Sequence, residues 1–414
     1  MAKVFSRSEI FLCQLESTYG VIPNTGGVAT VAGADGMAAI QFKMNRATDP
    51  IFRRDKTGSR TRTPGVAGRK IGSWNMSASL VTSGTPGTVP DHDPIFQSAF
   101  GSAPVTTSGT VAITGATNTT PIVITANGHG LSNFHCGSIT GILGNTAANG
   151  IWVVNNITAN TFELVGSSGN GNYVSGGSVS KAGIYYKPTD GEPSFSCYSA
   201  RVPYASASQR VAFGCVTKEL NFNLGEDIAT FSANGASKWV LDNLNFSNAT
   251  LAEKGGLTLF PDMATAVGSL VTLGSGIAGF KGRAVINGAT QSRIRTVSLK
   301  YGSSVDLPRD LFGSDYVDNP EADERAVSLD FNMYEDDSAG QAALEQAAID
   351  KSNIDMVFQV GTQVGNTVIF VLRGVQLASP DRDDGQRAFT MNYSGSQAYG
   401  SAITAFNEMR MWMM

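Results

Sequence analysis

Between residues 74 and 80 apolar and polar side chains alternate, with Trp74, Met76, Ala78 and Leu80 separated by Asn75, Ser77 and Ser79. Period-two alternation marks a strand with one buried face. The pattern returns at Val327, Leu329, Phe331 and Met333, and again at Leu220, Phe222 and Leu224. Val368 to Leu372 is continuously apolar, which fits a strand covered on both faces. A helix signal follows each of the first two strands. Asp93-Pro94 reads as an N-cap with proline at the first helical position, Ile95, Phe96, Ala99 and Phe100 form the apolar face, and Gly101 stops the helix. The second helix is predicted to start at Ser338 and to run through Ala342, Leu344, Ala347 and Ala348 towards Lys351.

These elements form a repeat. Ile40, Phe42 and Lys43 recur as Val297, Leu299 and Lys300, and Asn75-Met76 recurs as Asn332-Met333, all 257 positions on. Gly214, Gly225 and Gly235 recur as Gly374, Gly385 and Gly395, 160 positions on. The drop from 257 to 160 leaves 97 extra residues in the first copy, after its helix. From about Thr106 to Lys181 the chain is rich in Gly, Asn, Ser and Thr, with short strand signals at Val111–Thr114, Ile122–Thr125, Ile151–Val154 and Phe162–Val165. A small all-β module inserted into a loop accounts for them. The expected organisation is a first repeat over 1–105 and 182–257, the module at 106–181, and a second repeat over 258–414. Each repeat is expected to be a β-sandwich or barrel with one helix laid against it.

Composition agrees with a mainly β chain. Its 414 residues allow several cores, its 47 glycines favour turns, and only 15% of residues are charged. A net charge of −4 gives no basic footprint for tight nucleic-acid binding. Cys13, Cys136, Cys197 and Cys215 lie far apart without a C-x-x-C pair, and the expectation is buried free thiols. The opening MAKVFSRSEIFLCQLE breaks its apolar residues too early for a signal-peptide core, and no apolar run approaches the ~20 residues of a membrane span. Synthesis and folding in the cytoplasm, with no membrane partner, are therefore expected.

Two segments carry a family resemblance. Glu16-Ser17-Thr18-Tyr19-Gly20 with Pro23, together with the order of elements from Ala326 to Phe406, resembles phage tail tube proteins of long non-contractile tails. Within the insertion, His129-Gly130-Leu131, Asn149-Gly150 with Trp152, Thr161-Phe162, and Tyr173 before Gly176-Gly177 resemble a small β-barrel module. That module is the first catalytic cysteine half-domain of ubiquitin-activating enzymes. Cys136 has no partner set for catalysis, so no activity is carried over.

The first resemblance implies two tandem tail-tube-like domains in a virion tail, made in a host bacterial cytoplasm. It further implies self-assembly into stacked rings around a channel, with other tail proteins at the tube ends and phage DNA passing through without specific binding. A duplicated subunit would need only three copies to line a six-fold ring. The alternative reading is a virion surface or capsid decoration protein that binds host glycans through the inserted module. A hydrolytic virion enzyme would need a carboxylate pair or histidine site that the chain does not display.

Candidate chemistry is sparse. Asp91-His92-Asp93 could suggest a metal, but acidic residues also suit a helix N-terminus. His129 and His135 lie in a predicted loop, and Asp381, Asp383 and Asp384 precede Gly385 in a predicted solvated turn. No G-x-S-x-G, Walker or H-E-x-x-H pattern occurs, so no catalytic, cofactor or metal residues are expected.

The candidate functional residues are instead those of a subunit interface. One set lies on two counterpart loops, each about 25 residues without clear secondary structure. The first carries Arg53, Arg54, Lys56, Arg60 and Arg62, with Arg69 and Lys70 beyond, and the second carries Asp315, Asp318, Glu321, Asp323 and Glu324. Opposite charge on counterpart loops would set register between neighbours. The other set is Met411, Trp412 and Met413, large apolar groups near a chain end that are expected to dock on a neighbour.

Overall fold

The computed structural model describes residues 9–414 except 53, 55, 57, 62–63, 202–208, 226, 250–251, 262–275, 309–314, 318, 386–387, 403–404 and 406. Half of the chain is strand (51%) and little is helix (9%), so the fold is mainly β. Among the described residues the strands form one 19-stranded sheet system, a separate 7-stranded sheet and a 2-stranded ribbon.

The long strand Arg210–Leu224 organises the first half of the large system. Gly214 sits within it at φ +59° and bends it. Before the bend the strand pairs with Trp239–Asp242, beyond it with Thr230–Ser237, and Phe195–Arg201 pairs along the first part and, at Phe195↔Cys215, just past the bend. Glu9–Leu15 adds to Phe195–Arg201, Val66–Ser79 adds to Thr230–Ser237, and Gln41–Ile51 adds to Val66–Ser79. One bent strand thus belongs to two sheets, with the apolar core between them.

The same arrangement is built a second time. Asn366–Gln376 bends at Gly374, also at φ +59°. There a Cβ would lie 2.2 Å from the Gly400 carbonyl oxygen, so only glycine fits. The strand pairs with Asn353–Gln363 on both sides of the bend, with Met409–Met413 before it, and with Thr390–Ala398 beyond it. Gly282–Ile286 adds to Asn353–Gln363, Glu321–Tyr334 to Thr390–Ala398, and Ile294–Asp306 to Glu321–Tyr334.

Registers agree pair by pair. Asn221↔Ser232, Phe222↔Phe231 and Asn223↔Thr230 recur 160 positions on as Asp381↔Asn392, Arg382↔Met391 and Asp383↔Thr390. Asp381–Asp383 is therefore a short strand, where a solvated turn is expected from the sequence. For the outer strands the pairings set the displacement at 255 rather than 257, since Phe231↔Ala78 matches Met391↔Met333 and Met44↔Trp74 matches Leu299↔Leu329. A two-residue slip preserves strand alternation and so escapes a pattern search. Buried Phe42 and Met44 then correspond to buried Val297 and Leu299, whereas Ile40 is 69% exposed.

The two halves join edge to edge. Glu219–Leu224 pairs antiparallel with Val297–Gly302, from Glu219↔Gly302 to Leu224↔Val297. One apolar cluster spans both halves, from Trp74, Phe96 and Phe222 to Leu299, Phe331 and Phe370.

Both predicted helices are present. Asp93–Phe100 buries Ile95, Phe96, Ala99 and Phe100 and ends on Gly101 at φ 87°. Its cap position is His92 rather than Asp93, and Asp93 instead accepts bonds from Tyr186 (2.7 Å) and Gln97 (2.7 Å). Ser338 caps Ala339–Asp350 by accepting from the Gln341 amide (3.2 Å); Leu344 and Ala348 face the core, while Ala342 is exposed.

The inserted sequence forms the 7-stranded sheet, from Thr110–Ala112 to Ser178–Ser180, around its own core of Ile124, Trp152, Phe162 and Val179. Its flanks, Val105–Thr107 and Gly183–Tyr186, pair with each other in the large system. The module is docked rather than dangling. Phe134, Cys136, Ile151 and Val153 pack against Val285, Val357, Ile369, Val371 and Trp412. The Arg283 guanidinium lies 3.7 Å from the Trp152 ring centre and donates to the Ile151 carbonyl at 2.6 Å.

Two expectations are corrected. Cys13 and Cys197 stand directly opposite on antiparallel strands, with Cα atoms 4.5 Å apart, and form a disulfide. Cys136 and Cys215 are the buried free thiols. Met411, Trp412 and Met413 do not project towards a neighbour. Met409–Met413 is an internal strand between Val368–Leu372 and Ile184–Tyr186, with Met411 and Trp412 fully buried. Pairing on both edges satisfies its backbone, and that explains why so apolar a segment is tolerated.

Candidate assembly surface

Glu16, from the opening motif, is a buried fastener. One carboxylate oxygen accepts from the Gly20 amide (2.8 Å) and Ser194 Oγ (2.7 Å), and the other from Ser196 Oγ (2.5 Å) and the Gly214 amide (2.8 Å). Burial raises its pKa, while these four bonds act to lower it. The motif therefore holds the entry of the chain onto the Gly214 bend.

The same half carries the strand Gln41–Ile51. Val66–Ser79 covers one edge; among the described residues the other edge carries no strand. A groove of about 610 Å³ follows that open edge, lined by Phe11, Ala39 to Asn45, Ser199 and Arg210. Glu9 also lines it, with its carboxylate accepting from Ser199 Oγ at 2.5 Å. Arg46 continues the edge and pairs with Asp242 at 3.2 Å. Sequence reading missed this surface, because alternation shows that a strand exists but not which edge lacks a partner.

The charged loops prove to be the ends of long hairpin arms, 41–51 with 66–79 and 294–306 with 321–334. Arg54, Lys56 and Arg60 are exposed at the first arm; Asp315, Glu321, Asp323 and Glu324 are exposed at the second. Arg53, Arg62 and Asp318 lie outside the described residues. The arms touch within one chain. The Lys70 amide donates to the Asp315 carbonyl at 2.9 Å, and Lys70 Nζ reaches Glu253 and the Tyr316 hydroxyl. Apolar contacts among Val216, Ala236, Val305, Leu307 and Val317 lie beneath.

The histidines serve packing. His92 is fully buried, 2.6 Å from the Ala38 carbonyl oxygen and edge-on to Phe231, and burial lowers its pKa to about 4. His129 bonds the Leu131 amide (3.1 Å) and lies 3.0 Å from the Thr158 carbonyl oxygen. His135 packs on Tyr185 and Trp412, its pKa lowered to about 4 by burial and then by Arg410 and Lys181. Among the described residues no three His, Cys, Asp or Glu side chains gather as a metal site, and no helix is long and apolar enough to cross a membrane.

No protein family model matches the chain, and no curated protein is significantly similar to it.

Proposed function

We propose that this chain is a structural subunit of a phage tail tube. Copies associate into rings that stack around a channel for the genome, other tail proteins bind at the tube ends, and the chain has no catalytic role. One observation carries the reading: the two halves repeat the same strand pairings and are joined edge to edge. A unit of two equivalent repeats that presents an open strand edge is suited to head-to-tail closure. Three chains would then supply six repeats to a ring. The two hairpin arms, with basic residues on one and acidic residues on the other, would set register between subunits or between rings.

Electron microscopy of the purified protein at high concentration tests the proposal. Rings or tubes with three-fold or pseudo-six-fold symmetry are the expected result. A chain that sediments as a monomer at every concentration overturns it.

A further inference from the structure

We propose that the joint between subunits is a backbone ladder between Asp381–Asp383 of one copy and Lys43–Asn45 of the next, in one defined register. The joint rests on the ring reading above and adds its residues.

The register comes from the joint already present inside the chain. There Asn221, Phe222 and Asn223 face Lys300, Leu299 and Ser298. The first three correspond to Asp381, Arg382 and Asp383, 160 positions on, as the shared pairings with Thr230–Ser232 and Thr390–Asn392 establish. The second three correspond to Asn45, Met44 and Lys43, 255 positions back. Applying both displacements predicts Asp381 opposite Asn45, Arg382 opposite Met44, and Asp383 opposite Lys43. Inside the chain the Met44 carbonyl accepts from the Arg210 guanidinium at 3.5 Å, a contact that the ladder would displace. The outward edge of Asp381–Asp383 and the groove edge of Gln41–Ile51 each lack a strand among the described residues.

The groove supports the same occupant. The second half has an equivalent cleft of about 300 Å³, lined by Arg283, Val297 and Gln359 where the first has Phe11, Phe42 and Ser199. Leu224 and Gly225, the end of the first half's long strand, sit in that second cleft. Their counterparts 160 positions on are Asp384 and Gly385, at the end of the outward strand. Leu224 is buried in the second cleft, which also holds Arg283 and Arg295, whereas the first groove presents exposed Lys43 and Arg210 together with Glu9. Asp383 opposite Lys43 adds a cross-strand charge pair. Backbone pairing would give affinity, and these charges would select register.

Cysteine cross-linking in the full chain reads the register directly. Lys43→Cys and Asp383→Cys replace exposed side chains, so folding is preserved. After mild oxidation at a concentration where the wild type forms rings, the double variant should shift from the monomer band into dimers and larger species on a non-reducing gel. Either single variant should remain monomeric. Moving one cysteine, as Lys43→Cys with Asp381→Cys, should lose most of the cross-linking. Rings without the predicted cross-link overturn the joint while leaving the tube reading standing. A wild type that never leaves the monomer overturns both.

Discussion

A carboxylate that accepts four hydrogen bonds inside a protein ties together whatever supplies the donors. Glu16 ties its own turn, at Gly20, to the strand of Ser194 and Ser196 and to the bend at Gly214. Replacing it with alanine strands two backbone amides and two hydroxyls, and the expected cost is about 3 kcal/mol in urea unfolding. His92 makes a prediction in pH. Its folded pKa of about 4 lies below the ordinary value of 6.5, so between those values the unfolded chain binds the extra proton. Stability from this group is complete above pH 6.5 and lost as pH falls through 4, by roughly 3 kcal/mol. Glu16 and Asp93, raised by burial, act in the opposite sense: what they contribute is present at low pH and lost as pH rises. Comparing wild type with His92→Phe by denaturant unfolding at pH 7 and pH 4 isolates the histidine. The wild type should lose more stability over that interval.

At the scale of elements, legibility follows locality. The strands around Trp74 and Leu329 and the helix over Ile95 to Phe100 were readable, because alternation, proline and the terminal glycine act within a few residues. The disulfide was not, since Cys13 and Cys197 become neighbours only after strands 184 residues apart pair. Nor was the fate of Met411 to Met413, whose composition suits an interface as well as a central strand. Because that strand is internal, Trp412→Ala should destabilise the chain itself by about 3 to 5 kcal/mol in thermal or urea unfolding. The module's footing on Val285, Ile369 and Trp412 was not legible either, because composition marks a segment and not the face it rests on. Replacing residues 110–180 with a short Gly-Ser bridge uncovers that face, and the expected product binds a hydrophobic dye and associates non-specifically on light scattering.

Across the whole molecule, charge and backbone edges make separable contributions to the proposed assembly. Exposed arm charges act through screened fields, whereas a strand ladder does not depend on salt in the same way. Reversing Arg60 to Glu should raise the concentration needed for assembly about fivefold at low salt and hardly at all at high salt. Adding Glu321→Lys should recover part of the loss, as measured by sedimentation.

Met409–Met413 also has a consequence in time. It completes its ladder with Ile184–Tyr186, a segment that leaves the ribosome more than two hundred residues earlier. Until the later strand is made, Tyr185 and the face that receives the module lack their Trp412 partner. Contacts so distant in sequence close slowly, because loop entropy must be overcome before they return any energy. The nascent first half therefore waits with an unmatched edge. Closing that ladder is, for this chain, a late event.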